Sequence, residues 1–499
     1  MDIQEQFYDY IEKNDINNVK LLLNDKRVDP SDRNNWAIRF AFKNKHFDIV
    51  NLLWQDQRVK NSLKNHNEEL YNQSIFCENG IIRQIGPLDT LPNTADKMID
   101  LSKSIVIPGM VNTHHHLFQN LTRVIPNAQN ESLFGWLTTL YPIWCGLGPR
   151  HIYISSAVGL AELVLSGCTT STDHQYLFPG GSRLDDSIEA AIDIGVRFHP
   201  TRGSMSIGES QGGLPPDKLT ENEKDILKDC ERVISQFHDN GPNAMIKVSL
   251  APCSPFSVSN DLMIQTAVLA RENNLNLHTH LAENYEDIEY SLAKFNMRPG
   301  EYAESLGWLG EDVWHAHCVQ LNTDEVKLLG KTNTGIAHCP SSNMRLGSGI
   351  APLLEMFEHK VRVGLGVDGS SSNDSGHMLN EARQAMLLQR VKHGASAITA
   401  RDVLRTATRG GAKVLRQDNI GQIAPGLSAD MAIYDMQSVD LAGTHTDPLA
   451  GLVFCGPVKT KHTIINGKFV VEDGYLTTMN INSLMEEHHK LSIELVNSA

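Results

Sequence analysis

The chain has 499 residues, 41% of them hydrophobic and 21% charged, with 37 glycines and 20 prolines, which is the composition of a globular protein and excludes wholesale disorder. Asp+Glu 59 outnumber Lys+Arg 44 for a formal net charge of −15, so the molecule as a whole repels phosphate backbones and anionic membranes, and neither nucleic acid nor membrane is an expected partner. The eight cysteines form no Cys-x-x-Cys pair, and no apolar run nears the roughly 18 residues that a membrane helix needs, so a soluble cytoplasmic protein with free thiols is expected.

The first seventy residues are rich in Asn, Lys and Asp and contain Pro30 but no glycine. Within them Val19-Lys-Leu-Leu-Leu-Asn-Asp-Lys-Arg-Val28 returns as Val50-Asn-Leu-Leu-Trp-Gln-Asp-Gln-Arg-Val59, a spacing of 31 residues with six identities in ten. This resembles ankyrin repeats, whose period is about 33, although the Gly-rich turn and Thr-Pro-Leu-His signature are absent. Residues 1–73 are therefore read as an ankyrin-like helical segment, either an appendage or a surface for a protein partner.

From residue 74 the pattern changes to short apolar segments around Asn79-Gly80, which predict a β-hairpin. Eight β-rich runs then alternate with helical segments: 104–112, 169–173, 196–201, 244–251, 275–279, 313–316, 335–338 and 361–367. Apolar residues at three and four spacing predict helices over 152–165, 185–194, 262–272 and 380–391. Eight β/α units predict an α/β fold, a (β/α)8 TIM-like barrel over 105–415. Strand-and-turn patterns return after it, so a small flanking β-sandwich is expected from 74–104 and 416–478, with a C-terminal helix over 479–499.

The ends of the predicted strands, where such barrels carry their sites, hold metal-binding side chains. The first run continues Pro108-Gly-Met-Val-Asn-Thr-His114-His115-His116, and residues two apart share one side of an extended chain, so His114 and His116 can reach one metal while His115 points away. The fifth continues Leu277-His-Thr-His280-Leu-Ala-Glu283, the sixth Trp314-His-Ala-His317-Cys, and the eighth Gly364-Leu-Gly-Val-Asp368. Imidazoles and a carboxylate with an open position for water suit a hydrolytic Zn²⁺ or Fe²⁺.

These motifs, with His338-Cys-Pro-Ser-Ser-Asn343, resemble the amidohydrolase superfamily and its nucleobase deaminases, over roughly residues 75–475. The resemblance implies that His114, His116, His280 and Asp368 hold one divalent metal, zinc ahead of iron. It also implies that Glu283 shuttles a proton to a ring nitrogen, that His317 polarises the attacking water and that Asp368 accepts its proton. The zinc deaminases built on Pro-Cys-x-x-Cys are a different fold, and that motif is absent.

The segments Phe118-Gln119-Asn-Leu-Thr-Arg123, Phe134-Gly-Trp136-Leu-Thr-Thr-Leu-Tyr141 and Thr201-Arg202-Gly-Ser closely resemble those of 8-oxoguanine deaminases. That implies a nucleobase substrate, with Gln119 and Arg202 facing the purine edge and Trp136 and Tyr141 in the lid. Isocytosine, guanine and substituted triazines are alternative substrates, and a binding protein with a passive barrel is the alternative of another class. Members of the family are homodimers or larger, so a homo-oligomer is expected.

Overall fold

The computed structural model describes residues 2–25, 27–30, 37, 41, 44, 46, 48, 49, 52, 53 and 69–498. The chain divides into two compact units, Met1–Gln73 and Ser74–Ala499. In the first, α1 (Ile3–Glu12) and α2 (Ile16–Leu23) are joined through Asn14, which is left-handed at φ 57. Asp15 caps α2 by accepting the Asn18 N–H at 3.2 Å. Phe7, Tyr8, Ile11 and Val19 form a buried cluster with Val28, Ala37, Ala41, Ile49 and Leu53, whereas Leu21 is exposed. The ankyrin repeat expected over 1–73 is not supported: the described helices are only ten and eight residues long, without a repeat turn between them. Most of its second copy, 50–59, lies outside the described residues.

The second unit is built on a closed barrel of eight strands, β4 (Met110–Asn112), β5 (Cys168–Gln175), β6 (Arg197–Ser204), β7 (Ser249–Pro252), β8 (Leu277–Leu281), β9 (Val313–His317), β10 (Gly335–His338) and β11 (Arg362–Leu365). All neighbouring pairs are parallel, and β11 closes the ring by pairing Leu365 with Asn112. Helices between the strands bury their apolar faces on it, as Pro149–Leu165 does through Ile154, Ala157, Leu160, Ala161 and Val164.

One expected strand is two. The run 104–112 breaks at Gly109: β3 (Ser104–Pro108) pairs antiparallel with β12 (Met431–Asp435), and only β4 enters the barrel. Gly109 passes so close to β5 that a Cβ there would lie 2.0 Å from Thr169 Oγ1, so the corner requires glycine.

β3 and β12 belong to a five-stranded sheet completed by β13 (His462–Ile465), β14 (Lys468–Glu472) and β15 (Tyr475–Leu476). Against it lies the hairpin of β1 (Ser74–Glu78) and β2 (Ile81–Gly86), turned by Asn79 (φ 52) and Gly80 (φ 76), both left-handed as a two-residue hairpin turn demands. Ile82 of the hairpin and Met431, Ile433 and Ile464 of the sheet share one apolar core, giving the small flanking domain its two layers.

The barrel and the sheet are tied by a buried ion pair. Arg197 Nε and Nη2 donate to the Asp430 carboxylate at 2.9 and 3.2 Å, and Asp430 also accepts the Asn466 N–H at 2.7 Å. Both side chains are at most 1% exposed. Asp430→Ala would leave the guanidinium buried without its counter-charge, so a loss of about 3–5 kcal/mol is expected. Denaturant unfolding checks this, and an unchanged midpoint would contradict it.

Helix Ile481–Asn497 lies over the start of the barrel's first loop and its aromatic helix, Leu133–Trp144. No described helix is long and apolar enough to cross a membrane.

Candidate active site

The segment after β4 is stitched to β11 and its loop by Thr113 N–H to Leu365 O (2.9 Å) and Asp368 N–H to His114 O (3.0 Å). That brings His114, His116 and Asp368 together. Ala282 (φ 50), His317 (φ 69) and Asp368 (φ 63) are left-handed, a conformation that costs energy for a residue with a side chain. Three strand ends are thus strained where the chemistry-bearing groups sit.

The hydrogen bonds around the histidines fix their tautomers. His116 Nδ1 lies 2.7 Å from the His174 carbonyl oxygen, and His280 Nδ1 bonds the Cys253 carbonyl oxygen. A carbonyl only accepts, so each Nδ1 carries the proton and each neutral ring keeps a lone pair on Nε2. Those two Nε2 atoms face each other at 3.1 Å. Likewise His278 Nδ1 donates to Trp314 O at 2.9 Å, its Nε2 accepts from His114 Nδ1 at 2.8 Å, and His114 Nε2 is left buried without a hydrogen-bond donor. His114 Nε2 and His116 Nε2 each stand 3.3 Å from Asp368 Oδ1. The ring nitrogens of His114, His116 and His280 lie within 4.8 Å of one another and two of them face the Asp368 carboxylate; such groups repel one another unless a cation lies among them, and this donor set fits a divalent metal.

Burial holds His114 and His116 below the ordinary imidazole pKa and pushes His280 down to about 3, which keeps their lone pairs free. Burial alone would raise Asp368, but its contact with the His114 ring and the charge of His317 hold it well below the carboxylate range. Burial pushes Glu283 up to about 7. His317 is drawn down by burial yet raised overall by the Glu283 and Asp368 carboxylates; its Nε2 is 3.5 Å from Glu283 Oε2 and 4.0 Å from Asp368 Oδ2. Its Nδ1 donates to Asn343 Oδ1 at 3.0 Å, which orients the ring.

The structure thus gathers His114, His116, His280, Glu283, His317 and Asp368 at one pocket, with His115 outside the cluster. Gln119, Trp136 and Tyr141 line the same pocket. Gln119 Oε1 accepts the Ser371 N–H at 3.3 Å while its Nε2 has no protein acceptor, and Trp136 Nε1 donates to Ser371 O at 2.9 Å, fastening the aromatic helix over the site.

Arg202 is the exception. Its guanidinium lies outside the pocket lining, stacked 4.1 Å from the Phe178 ring. Nε donates to Asp229 at 2.8 Å, Nη2 to Glu221 at 2.8 Å, and Nη1 to Glu221 at 3.0 Å and to Gly203 O. Four of its five N–H groups are spent inside the protein, so the two-pronged contact with a purine edge expected of Arg202 is not available; the residue orders the loop after β6.

Sequence reasoning missed His174, whose ring stands among those of His114, His116 and His280. The signal was its place two residues beyond Thr172 on a strand that runs to Gln175 and not to Asp173. His278, Asn343 and Asp287 were missed as well; His278 shares the alternation that exposed His280.

Gln119 reaches the pocket from the 3₁₀ segment Leu117–Thr122, several of whose carbonyls are bonded by side chains from elsewhere in the chain. Ser155 Oγ donates to Leu117 O, Ser371 Oγ to Thr122 O at 2.9 Å, His488 Nε2 to Asn120 O at 3.1 Å and Ser492 Oγ to Leu121 O at 2.6 Å.

Residues 105–470 match the model of the amidohydrolase family. The chain belongs to the amidohydrolase family. It is a hydrolytic aminohydrolase, and the passive-barrel alternative falls. It is 44% identical over 425 residues, 85% of this chain and 94% of the relative, to an 8-oxoguanine deaminase of Pseudomonas aeruginosa. It is also 36% identical over 405 residues, 79% of this chain and 83% of the relative, to a hydroxydechloroatrazine ethylaminohydrolase of a Pseudomonas species. Among solved structures it resembles the atrazine chlorohydrolase of Arthrobacter aurescens, complexed with zinc, at TM-score 0.82 and 31% identity, covering 85% of this chain and 96% of that one. Amidohydrolases work with a divalent metal, in keeping with the donor set described above.

Proposed function

We propose that the protein hydrolyses 8-oxoguanine to urate and ammonia. The observation that carries the substrate is the 44% identity to the Pseudomonas aeruginosa 8-oxoguanine deaminase over 94% of its length. In this reading His114, His116, His280 and Asp368 hold one divalent ion, and the zinc of the Arthrobacter structure supports zinc over iron. When bound, such an ion supplies the Lewis acidity that lets water ionise near neutral pH.

The side chains divide the remaining work. Asp368 accepts a proton from the attacking water, and protonated His317, held by Asn343, donates a hydrogen bond to that water's oxygen from Nε2. Glu283, poised by burial near neutrality, protonates the ring nitrogen beside the amino-bearing carbon. The new C–O bond forms at that carbon. The C–N bond breaks as Glu283 passes the proton of the new hydroxyl to the amine, ammonia leaves, and the proton held by Asp368 returns Glu283 to its acid form. Gln119 Nε2 offers a donor to the ring edge while Trp136 and Tyr141 exclude water from its face. The eight free thiols support a cytoplasmic enzyme.

Ammonia release from a panel of aminopurines, isocytosine and alkylamino-triazines, with urate followed by its absorbance, tests the substrate. The expected result is a kcat/KM for 8-oxoguanine at least tenfold above the others. A higher value for guanine, isocytosine or a triazine would replace the proposed substrate.

A further inference from the structure

The turn from β8 into helix Tyr285–Phe295 carries a carboxylate that the proposed reaction does not use. Ala282 swings the chain, and Asn284 caps the helix by accepting the Asp287 N–H at 3.0 Å. Asp287 is the third residue of that helix, where an acidic side chain ordinarily turns back onto the N–H of the capping residue. Here it reaches one residue further, and Oδ2 accepts the Glu283 N–H at 2.8 Å. Asp287 therefore anchors the main chain of the proton carrier.

That accounts for one oxygen. Asp287 lines the pocket together with Glu283 and His317, is 3% exposed, and its Oδ1 receives no hydrogen bond from the protein. A buried carboxylate oxygen with no donor loses its hydration without return, and such groups are kept where a ligand completes them. Burial pushes the Asp287 carboxyl up to about 6, so above that pH it is ionised and can only accept.

We propose that Asp287 is a specificity-determining residue whose Oδ1 accepts a ring N–H of the substrate, selecting heterocycles that carry an N–H donor on the Glu283 side of the pocket. This rests on the deaminase reading above. Oxo-purines and isocytosine-type lactams present such a donor; the same rings alkylated at that nitrogen do not.

Asp287→Asn isolates the effect. The Glu283 N–H selects the amide oxygen, so the anchor survives, while the amide NH₂ replaces Oδ1 and turns an acceptor into a donor. The variant is compared with wild type on 8-oxoguanine and its monomethyl derivatives at each ring nitrogen, and on isocytosine and its N-methyl derivatives, with metal content and thermal midpoint measured alongside. In wild type, methylation at one ring nitrogen is expected to lower kcat/KM by roughly 10- to 100-fold. Asp287→Asn is expected to lose a similar factor on the unmethylated ring, mainly through KM, and no longer to discriminate against that methyl derivative, with metal content unchanged. Wild-type kcat/KM in the variant would overturn the proposal, as would an equal loss on methylated and unmethylated rings, which marks Asp287 as an anchor of Glu283 alone. If wild type favours isocytosine over 8-oxoguanine, the proposed substrate fails while the same comparison on isocytosine still decides the role of Asp287.

Discussion

Stripping the purified protein with a chelator is expected to abolish turnover and to lower its thermal midpoint, and adding zinc back to restore both. With Nδ1 of His116 and His280 committed to backbone carbonyls, their Nε2 lone pairs face each other at 3.1 Å, and the Asp368 carboxylate stands 3.3 Å from that of His116 and from that of His114. Only a cation makes that arrangement favourable. Folding is therefore linked to the ion, and free metal at a thousandfold excess over its Kd adds about 4 kcal/mol to stability. Elemental analysis is expected to find about one divalent ion per chain, the stoichiometry of a single catalytic site. Full activity in protein free of metal would overturn the site.

Glu283→Gln is expected to keep the metal and the fold while turnover falls by roughly 10²- to 10⁴-fold, the range for losing a general acid or base. Glu283 is 5% exposed and stands 3.5 Å from His317 Nε2, outside the cluster of lone pairs, so the amide preserves volume and an acceptor but cannot carry a proton. The check is kcat together with metal content. Wild-type turnover in metal-loaded variant would remove Glu283 from the proton path.

The barrel could be read from the sequence because its signals are local: eight β-rich runs, helices at three and four spacing, and polar groups at the run ends. His114 and His116 stood out because a spacing of two on an extended chain means one shared face. The hairpin at Asn79-Gly80 was legible for a similar reason, since few residue pairs accept two left-handed conformations in a row. What escaped was set by neighbours far along the chain. Gly109 divides one β-rich run between two sheets because of its closeness to Thr169, which no local pattern reveals. Arg202 offered a plausible donor to a purine edge, but Glu221 and Asp229, from the following loop and helix, occupy it first. Asp287 was hidden because its spacing from Asn284 reads as an ordinary helix start, and only the structure reveals which N–H it takes. In the 31-residue repeat of the first unit Val19 and Val28 are buried while Leu21 is exposed, and apolar positions at that spacing do not by themselves specify an ankyrin unit.

The bonds from His488 and Ser492 to the segment Leu117–Thr122 bear on the order in which the enzyme is put together. They join positions 368 and 371 residues apart, whereas most strand pairs of the barrel join each run to the next. During synthesis each strand can therefore add to the one before it, with the ring closing once β11 reaches β4, while the carbonyls of Asn120 and Leu121 wait for the final helix. Ring closure and the anchoring of the segment that carries Gln119 draw on parts of the chain made at different times. A chain that stops before residue 481 would carry every candidate metal ligand, while the carbonyls of Asn120 and Leu121 would lack the partners that the last helix brings them.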